Sequence, residues 1–430
     1  MSAPTDPIDW LNQECFCITV DPAALRRELE LDPSTRDLHA TLAGTHPHLF
    51  ARNPIFVGRG DVAAMQGLIE AVEAVVRLPQ YREAVLAWAP PIAKFDPGTA
   101  GALSSFDFHL TPPGPKLIEI NTNAGGAFLS AALARAQRAC CVPVLESIEQ
   151  SPGVASEDTP LPDRLFEMFL AEWRRQRGHD AVLRRIAIVD QAPEQQYLYP
   201  EFLLAAHLFR SHGIEAVICD PGALAVEQGV LRHASGAIDL VYNRLTDFGL
   251  DEPAHAALRQ AYLEGFAVVT PHPRAHALYA DKRNLAILGD TARLREWGVD
   301  PATRDVLAAA IPETELVTVE RAEELWARRR ALFFKPVSGY GGKATYRGEK
   351  LTRRVWSAIV AGDYVAQALV PPSSRSVRID TEPAAVTMKL DLRCYVYDGR
   401  ILSLAARLYQ GQVTNFRTPG GGFATVFSLP

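Results

Sequence analysis

Between Asp61 and Trp88 apolar residues recur at helical spacing, at Met65, Leu68, Ile69, Val72, Val75 and Val76, which predicts an amphipathic helical region with Asp61 as its N-cap. The period then changes. Phe106-Asp107-Phe108-His109-Leu110 and Lys116-Leu117-Ile118-Glu119-Ile120-Asn121 alternate apolar and polar positions around Thr111-Pro112-Pro113-Gly114-Pro115, the pattern of a β-hairpin. A helix is predicted over about Phe128 to Gln137, and Ser151 to Pro162, rich in Ser, Pro, Gly and acids without periodicity, reads as a linker. Beyond it, a strand at Arg185 to Asp190, a helix at Glu201 to His212 closed by Gly213, and a strand at Glu215 to Cys219 imply a parallel, Rossmann-like unit. It lacks GxGxxG, so a dinucleotide role has no support. The last third, from about Tyr279, alternates strands and helices and ends in two long strands, Val386 to Tyr397 and Arg400 to Leu408, joined at the turn pair Asp398-Gly399. The predicted class is α/β with α+β elements.

At 430 residues the chain exceeds one ordinary core, and two or three sub-domains are expected. The apolar share of 48% and charged share of 22% are those of a globular protein. The net charge of −6 is spread without a basic stripe, which argues against nucleic acid as a partner. No run approaches the roughly 20 apolar residues that span a bilayer, and no secretory signal opens the chain, so no membrane partner and a cytoplasmic location are expected. Cys15, Cys17, Cys140, Cys141, Cys219 and Cys394 match neither a zinc site nor a disulfide framework and read as reduced. Nothing in the pattern indicates an oligomeric state.

Three groups of residues carry chemistry. Folding the first hairpin symmetrically about Pro113 sets Asp107 opposite Glu119, with Phe106 and Phe108 facing Ile120 and Ile118. One side is then apolar and the other carries Asp107, Glu119 and Asn121. Opposed like charges destabilise a sheet unless a positive charge lies between them. Mg²⁺, which takes hard oxygen ligands and shares them with phosphates, suits this set. The bend Asn121 to Gly126, rich in glycine and opening a helix, would let backbone N–H groups approach an anion.

The second group is Phe333-Phe334-Lys335-Pro336-Val337-Ser338-Gly339-Tyr340-Gly341-Gly342-Lys343, in which a strand delivers a lysine to a glycine loop able to approach phosphate oxygens. It is not a Walker A loop, since Ala344 to Arg347 reads as a strand. Lys282 follows Asp281, the predicted N-cap of a helix, and Gln367 is the one amide in the strand Asp363 to Val370. The third group joins Asp391, Arg393 and Tyr395 with Arg407 and Asn415. With a two-residue turn at Asp398-Gly399, Arg407 falls on the opposite face from Arg393, so the two meet one phosphate only if a bulge intervenes. Arg244 and Arg274 could meet an acidic substrate or be structural.

The series Asp281-Lys282, Phe334-Lys335-Pro336, Gly339 to Gly342, Val365-Ala366-Gln367, Asp391-Leu392-Arg393, Arg407, Asn415 and Gly420-Gly421 resembles the ATP-grasp superfamily, in the order of its amide-forming ligases. In linear relatives a metal-binding Asp and a Glu-x-Asn about twelve residues later would come next. Here Asp107, Glu119 and Asn121 stand near the N-terminus with that gap, which resembles the circularly permuted, glutathionylspermidine synthetase-like ligases. The resemblance implies that Lys282, Lys335, Gly339, Tyr340, Gly341 and Gly342 hold ATP, that Gln367 lies at the adenine, that Asp107, Glu119 and Asn121 carry Mg²⁺, and that Arg393 and Arg407 are catalytic. It implies a helical region over 1–100, a metal segment over 101–150, a substrate domain over 180–275 and nucleotide-binding subdomains over 276–430.

The implied activity is an ADP-forming ligase joining a small-molecule or peptide carboxylate to an amine through an acyl phosphate. The alternatives are a non-catalytic nucleotide-binding homologue or a small-molecule phosphotransferase. One departure stands out: many relatives have Arg two residues before the metal Asp, where this chain has Ser105, and the missing charge would have to come from Arg393 or Arg407.

Overall fold

The two hairpins lie side by side in one sheet. The computed structural model describes residues 6–138, 159–339, 341–379, 382 and 384–430. Among them a seven-stranded sheet runs Ile55–Gly58, Gly422–Leu429, Arg400–Tyr409, Val386–Tyr397, Ser104–Thr111, Gly114–Asn121, with Ser373–Val377 also paired to Val386–Tyr397. The first hairpin is thus covered on its open edge by a strand almost 300 residues away: Asp107 pairs with Arg393 and Phe106 with Cys394.

Alternation along these strands separates two environments. Phe106, Phe108, Leu392, Cys394, Leu404 and Ala406 pack with Met65, Leu68, Ile69 and Val72. The latter come from the helix Arg59–Val76, whose N-cap is Gly58; Asp61 lies in its first turn instead of capping it. Leu78 and Pro79 break the helical region, and Pro79–Trp88 forms a second helix, because proline cannot donate the next backbone bond. The opposite face, with Tyr395, Ala405 and Phe423, meets Ala127, Phe128 and Leu133 of the helix Ala127–Arg135.

A second sheet is parallel, in the order Val268–Thr270, Leu240–Asn243, Arg185–Val189, Glu215–Cys219, as the strand, helix, strand alternation required. A third, antiparallel, runs Thr314–Leu316, Tyr364–Ala368, Leu332–Pro336, Tyr346–Arg347. Its last strand is two residues long, so of Ala344 to Arg347 the second half is strand and the first is turn, where Ala344 has a left-handed φ of 53°. Most of Ser151 to Pro162 lies outside the described residues, and Leu161 and Pro162 already belong to the helix Leu161–Arg177. Among the described residues no helix is long and apolar enough to cross a membrane, and Cys15, Cys17, Cys219 and Cys394 form no disulfide; Cys140 and Cys141 lie outside them.

Candidate active site

Two register shifts build the site. In the first hairpin Asp107 faces Glu119 and Phe106 faces Ile120, as symmetry about Pro113 requires, but Phe108 faces Leu117 and the turn is Pro112-Pro113. The shift leaves Ile118 as an extra residue, and its carbonyl accepts a bond from Lys335 Nζ at 3.0 Å. In the C-terminal hairpin the pairing slips between Tyr395 and Val396, so Tyr395 faces Ser403 and Asp391 faces Arg407. This bulge turns Arg407 onto the face of Asp391 and Arg393, which an even register would have denied it.

Both arginines then converge on Asp107. Arg393 grips it in bidentate fashion, Nε to Oδ1 at 2.8 Å and Nη2 to Oδ2 at 2.7 Å, and Arg407 Nη2 reaches Oδ2 at 2.8 Å. Arg407 Nε also bonds Asp391 Oδ1 at 2.7 Å, and Thr414 donates to the other Asp391 oxygen. Ser105 Oγ donates to Asp107 Oδ1 at 3.2 Å. The charge that Ser105 cannot supply thus reaches Asp107 from the strand next door. Burial raises the carboxyl pKa of Asp107, but the charges of Arg393 and Arg407 and the bonds from Arg393 and Ser105 prevail and hold it well below the usual carboxylate range.

Asn121 Nδ2 lies between the two carboxylates, 3.3 Å from Asp107 Oδ2 and 3.2 Å from Glu119 Oε1. The position where two acidic oxygens converge therefore holds a donor. An amide presents its oxygen as readily as its nitrogen. With Asn121 turned over, three hard oxygens from Asp107, Glu119 and Asn121 would face that point, a donor set fitting Mg²⁺ with its remaining ligands from water or phosphate. Of the three, Asp107 is already engaged, whereas the half-buried Glu119 side chain takes among the described residues only the bond from Asn121.

Lys335 is buried, and its ammonium bonds Gln367 Oε1 at 2.7 Å. Among the described residues the Gln367 side chain bonds no backbone group; its other arm meets Thr314 Oγ1 at 3.3 Å. Burial lowers the Lys335 pKa to about 8, with Lys282 pushing the same way against Glu119 and Asp107. Lys282 is buried rather than solvated, and its Nζ bonds the Gly339 carbonyl at 3.0 Å. Asp281 sits one residue ahead of the assigned cap, bonding Arg283 N and its guanidinium. Gly341 and Gly342 take left-handed φ of 63° and 68°, which favour glycine. Tyr340 lies outside the described residues.

These groups line one cavity of about 400 Å³. Seven lysines and arginines (Lys282, Lys335, Lys343, Arg347, Lys389, Arg393, Arg407) face it against Asp107, Glu119 and Asp391. A surplus of four positive charges in a chain of net charge −6 gives the cavity a positive potential that attracts anions. Arg347, Lys389 and Thr414 also line it; Lys389 shares the face of Asp391 and Arg393 by strand alternation, which could have found it, whereas Thr414 lies on a loop whose path no local pattern signals.

Two expectations change, and one open alternative closes. The bend Asn121 to Gly126 does meet an anion, but it is Glu201, fully buried, which accepts from the N–H groups of Gly126 and Phe128. Arg274 bonds the carbonyls of Ala93 and Lys94 and pairs with Asp96, and Arg244 Nη1 bonds the Ala124 carbonyl, so both hold the structure together. Asn415 organises its own loop through bonds with Gln410, Val413, Arg417 and Thr418.

No protein-family model and no curated protein sequence matches the chain. Among solved structures, a glutathione synthetase-like effector from Globodera pallida, in its apoform, superposes with a TM-score of 0.57 at 12% identity, covering 93% of this chain and 99% of its own. A putative gamma-glutamylcysteine synthetase from Methylobacillus flagellatus KT gives a TM-score of 0.44 at 12% identity over 85% of this chain and 87% of its own. The ATP-grasp ligase PsnB, complexed with minimal precursor, Mg and ADP, gives 0.28 at 16% identity over 57% and 88%. The fold likeness rests on the first of these. The chain has a mixed α/β fold that it shares in outline with that effector.

Proposed function

We propose that the protein is an ATP- and Mg²⁺-dependent ligase that joins a carboxylate to an amine through an acyl phosphate, releasing ADP and phosphate. The observation that carries this reading is the convergence of Lys282, Lys335, Arg393 and Arg407 with Asp107, Glu119 and Asn121 on one net-positive cavity. In this reading Lys282, Lys335 and the loop at Gly339 to Gly342 hold the triphosphate, with Gln367 toward the adenine. Glu119 and Asn121, with Asp107 once its arginines are drawn to phosphate, hold Mg²⁺. The metal, when bound, neutralises phosphate charge during transfer. Arg393 and Arg407 stabilise the charge that develops on the transferred group.

The pairing of Ser104–Thr111 with Val386–Tyr397 supports a circularly permuted ATP-grasp order, since a segment near the N-terminus completes the C-terminal sheet. The parallel sheet supports assigning about 180–275 to a Rossmann-like substrate domain, next to a helical region over 1–100, a metal segment over 101–150 and the nucleotide subdomains over 276–430. Incubation with ATP, Mg²⁺ and a panel of amino acid and dipeptide carboxylates with primary amines tests the reading. Release of ADP and phosphate with a new amide is expected. Release of AMP and pyrophosphate, or phosphorylated substrate without amide, overturns it.

A further inference from the structure

The helix Pro7–Glu14 ends at Cys15, its C-cap, in extended backbone with φ −86° and ψ 108°. Extended backbone sends the side chains of residues i and i+2 to the same side, and Cys15 Sγ and Cys17 Sγ stand 3.7 Å apart. Exposure separates the two thiols. Cys15 is buried against Ile18, Phe56 and Phe427, whereas Cys17 is open to solvent. Neither residue lines the cavity.

A buried cation completes the arrangement. Arg375, on the strand Ser373–Val377, has no exposed surface, and among the described residues its guanidinium bonds carbonyls alone, those of Pro54 at 3.0 Å, Leu11 at 3.0 Å, Asn12 at 2.6 Å and Cys15. Carbonyl dipoles solvate that charge without neutralising it. Burial lowers the Arg375 pKa to about 10, and the charge that Cys15 can carry works against the fall. A thiolate at Cys15 would therefore meet its counter-charge in Arg375, and the thiolate is the form of cysteine that attacks sulfur.

We propose that Cys15 and Cys17 are a thiol modification site that closes reversibly into an intramolecular disulfide, independently of the ligase reading. The oxidant is a low-molecular-weight disulfide such as oxidised glutathione. The exposed Cys17 sulfur attacks one sulfur of that disulfide and displaces the first thiolate, which leaves a mixed disulfide on Cys17. Cys15 Sγ, already in contact, then attacks Cys17 Sγ and displaces the second. The protons of the two cysteines leave with the two released thiols, so that two protein thiols are oxidised as one disulfide is reduced. Closure brings the sulfurs from 3.7 Å to about 2.05 Å. The Cα atoms of residues i and i+2 lie at most about 7 Å apart, at the upper edge of what a disulfide spans, so the bond forms under strain and is readily reduced again.

The test treats the full chain, first reduced, with oxidised glutathione and caps the remaining thiols with N-ethylmaleimide. Trypsin then releases Met1 to Arg26, a peptide that carries these two cysteines and no others. By mass spectrometry this peptide should have lost two hydrogens and taken up no maleimide, and about a 10-fold excess of reduced over oxidised glutathione should restore both thiols. In Cys15→Ala the reaction should halt at glutathione on Cys17, and in Cys17→Ala the buried Cys15 should stay reduced. Two maleimides on the wild-type peptide after treatment overturn the proposal, as does a mixed or intermolecular disulfide that persists on Cys17. Glutathione on Cys15 in Cys17→Ala overturns the order of attack. The wild-type reaction decides the pairing whether or not either variant folds.

Discussion

Replacing Arg393 with Met tests the arrangement around Asp107. The substitution keeps much of the side-chain volume and removes the bidentate grip, at 2.8 and 2.7 Å, on a carboxylate that is 1% exposed. Removing one partner from a buried ion pair costs about 3–5 kcal/mol, because the other charge stays buried. Arg407 remains at 2.8 Å and compensates part of that charge, which places the expected loss near the low end, about 3 kcal/mol. The pH dependence follows from the sign of the shift. The Asp107 pKa is depressed in the folded protein, so its pairing contributes stability above its unfolded pKa of about 3.9, and that contribution is lost as pH falls toward the folded value. With Arg393 gone, burial is opposed mainly by Arg407, the folded pKa climbs toward the unfolded one, and the stability lost on acidification becomes smaller. Urea unfolding from pH 7 down to pH 3 reads both effects. The cost of Arg393→Met should largely vanish in an Asp107→Asn background, where no buried charge is orphaned. A loss under about 1 kcal/mol with an unchanged acid limb would refute the reasoning.

Three further outcomes follow from the same geometry. Lys335 is depressed from 10.5 to about 8, so the unfolded chain binds more protons between those values, and stability of the ligand-free protein should rise from pH 8 to 10.5 by up to about 3 kcal/mol, a rise absent in Lys335→Met; a flat wild-type profile contradicts the burial argument. Glu119→Gln should weaken Mn²⁺ binding, read by electron paramagnetic resonance, and Mg²⁺-dependent turnover about 100-fold or more, while the urea midpoint stays put because Glu119 is half-buried with one bond. Gly126→Ala should destabilise by about 3 kcal/mol or more: its φ is +100°, and the new Cβ would lie 2.1 Å from Phe423 Cζ. A thermal midpoint within 1 °C of wild type would contradict that close contact.

The elements and their polarity were legible in the order of the residues. Alternation located both hairpins, the turn Asp398-Gly399 and the facing of Asp107 and Glu119, since a period of two leaves one register that buries Phe106 and Ile120. The parallel sheet followed from the strand and helix alternation, and the resemblance of the motifs pointed to the fold. Tertiary structure decided the rest. A β-bulge adds one residue without a compositional mark, and the two bulges, at Ile118 and before Ser403, supply the carbonyl for Lys335 and turn Arg407 inward. The anion at the Gly126 bend comes from Glu201, 75 residues along the chain, and the cation beside Asp107 comes from Arg393, 286 residues along. Local pattern reports which face a side chain takes within its own strand or helix. Which charge it meets there depends on which distant strand pairs with that edge, and that is fixed only when the whole sheet closes.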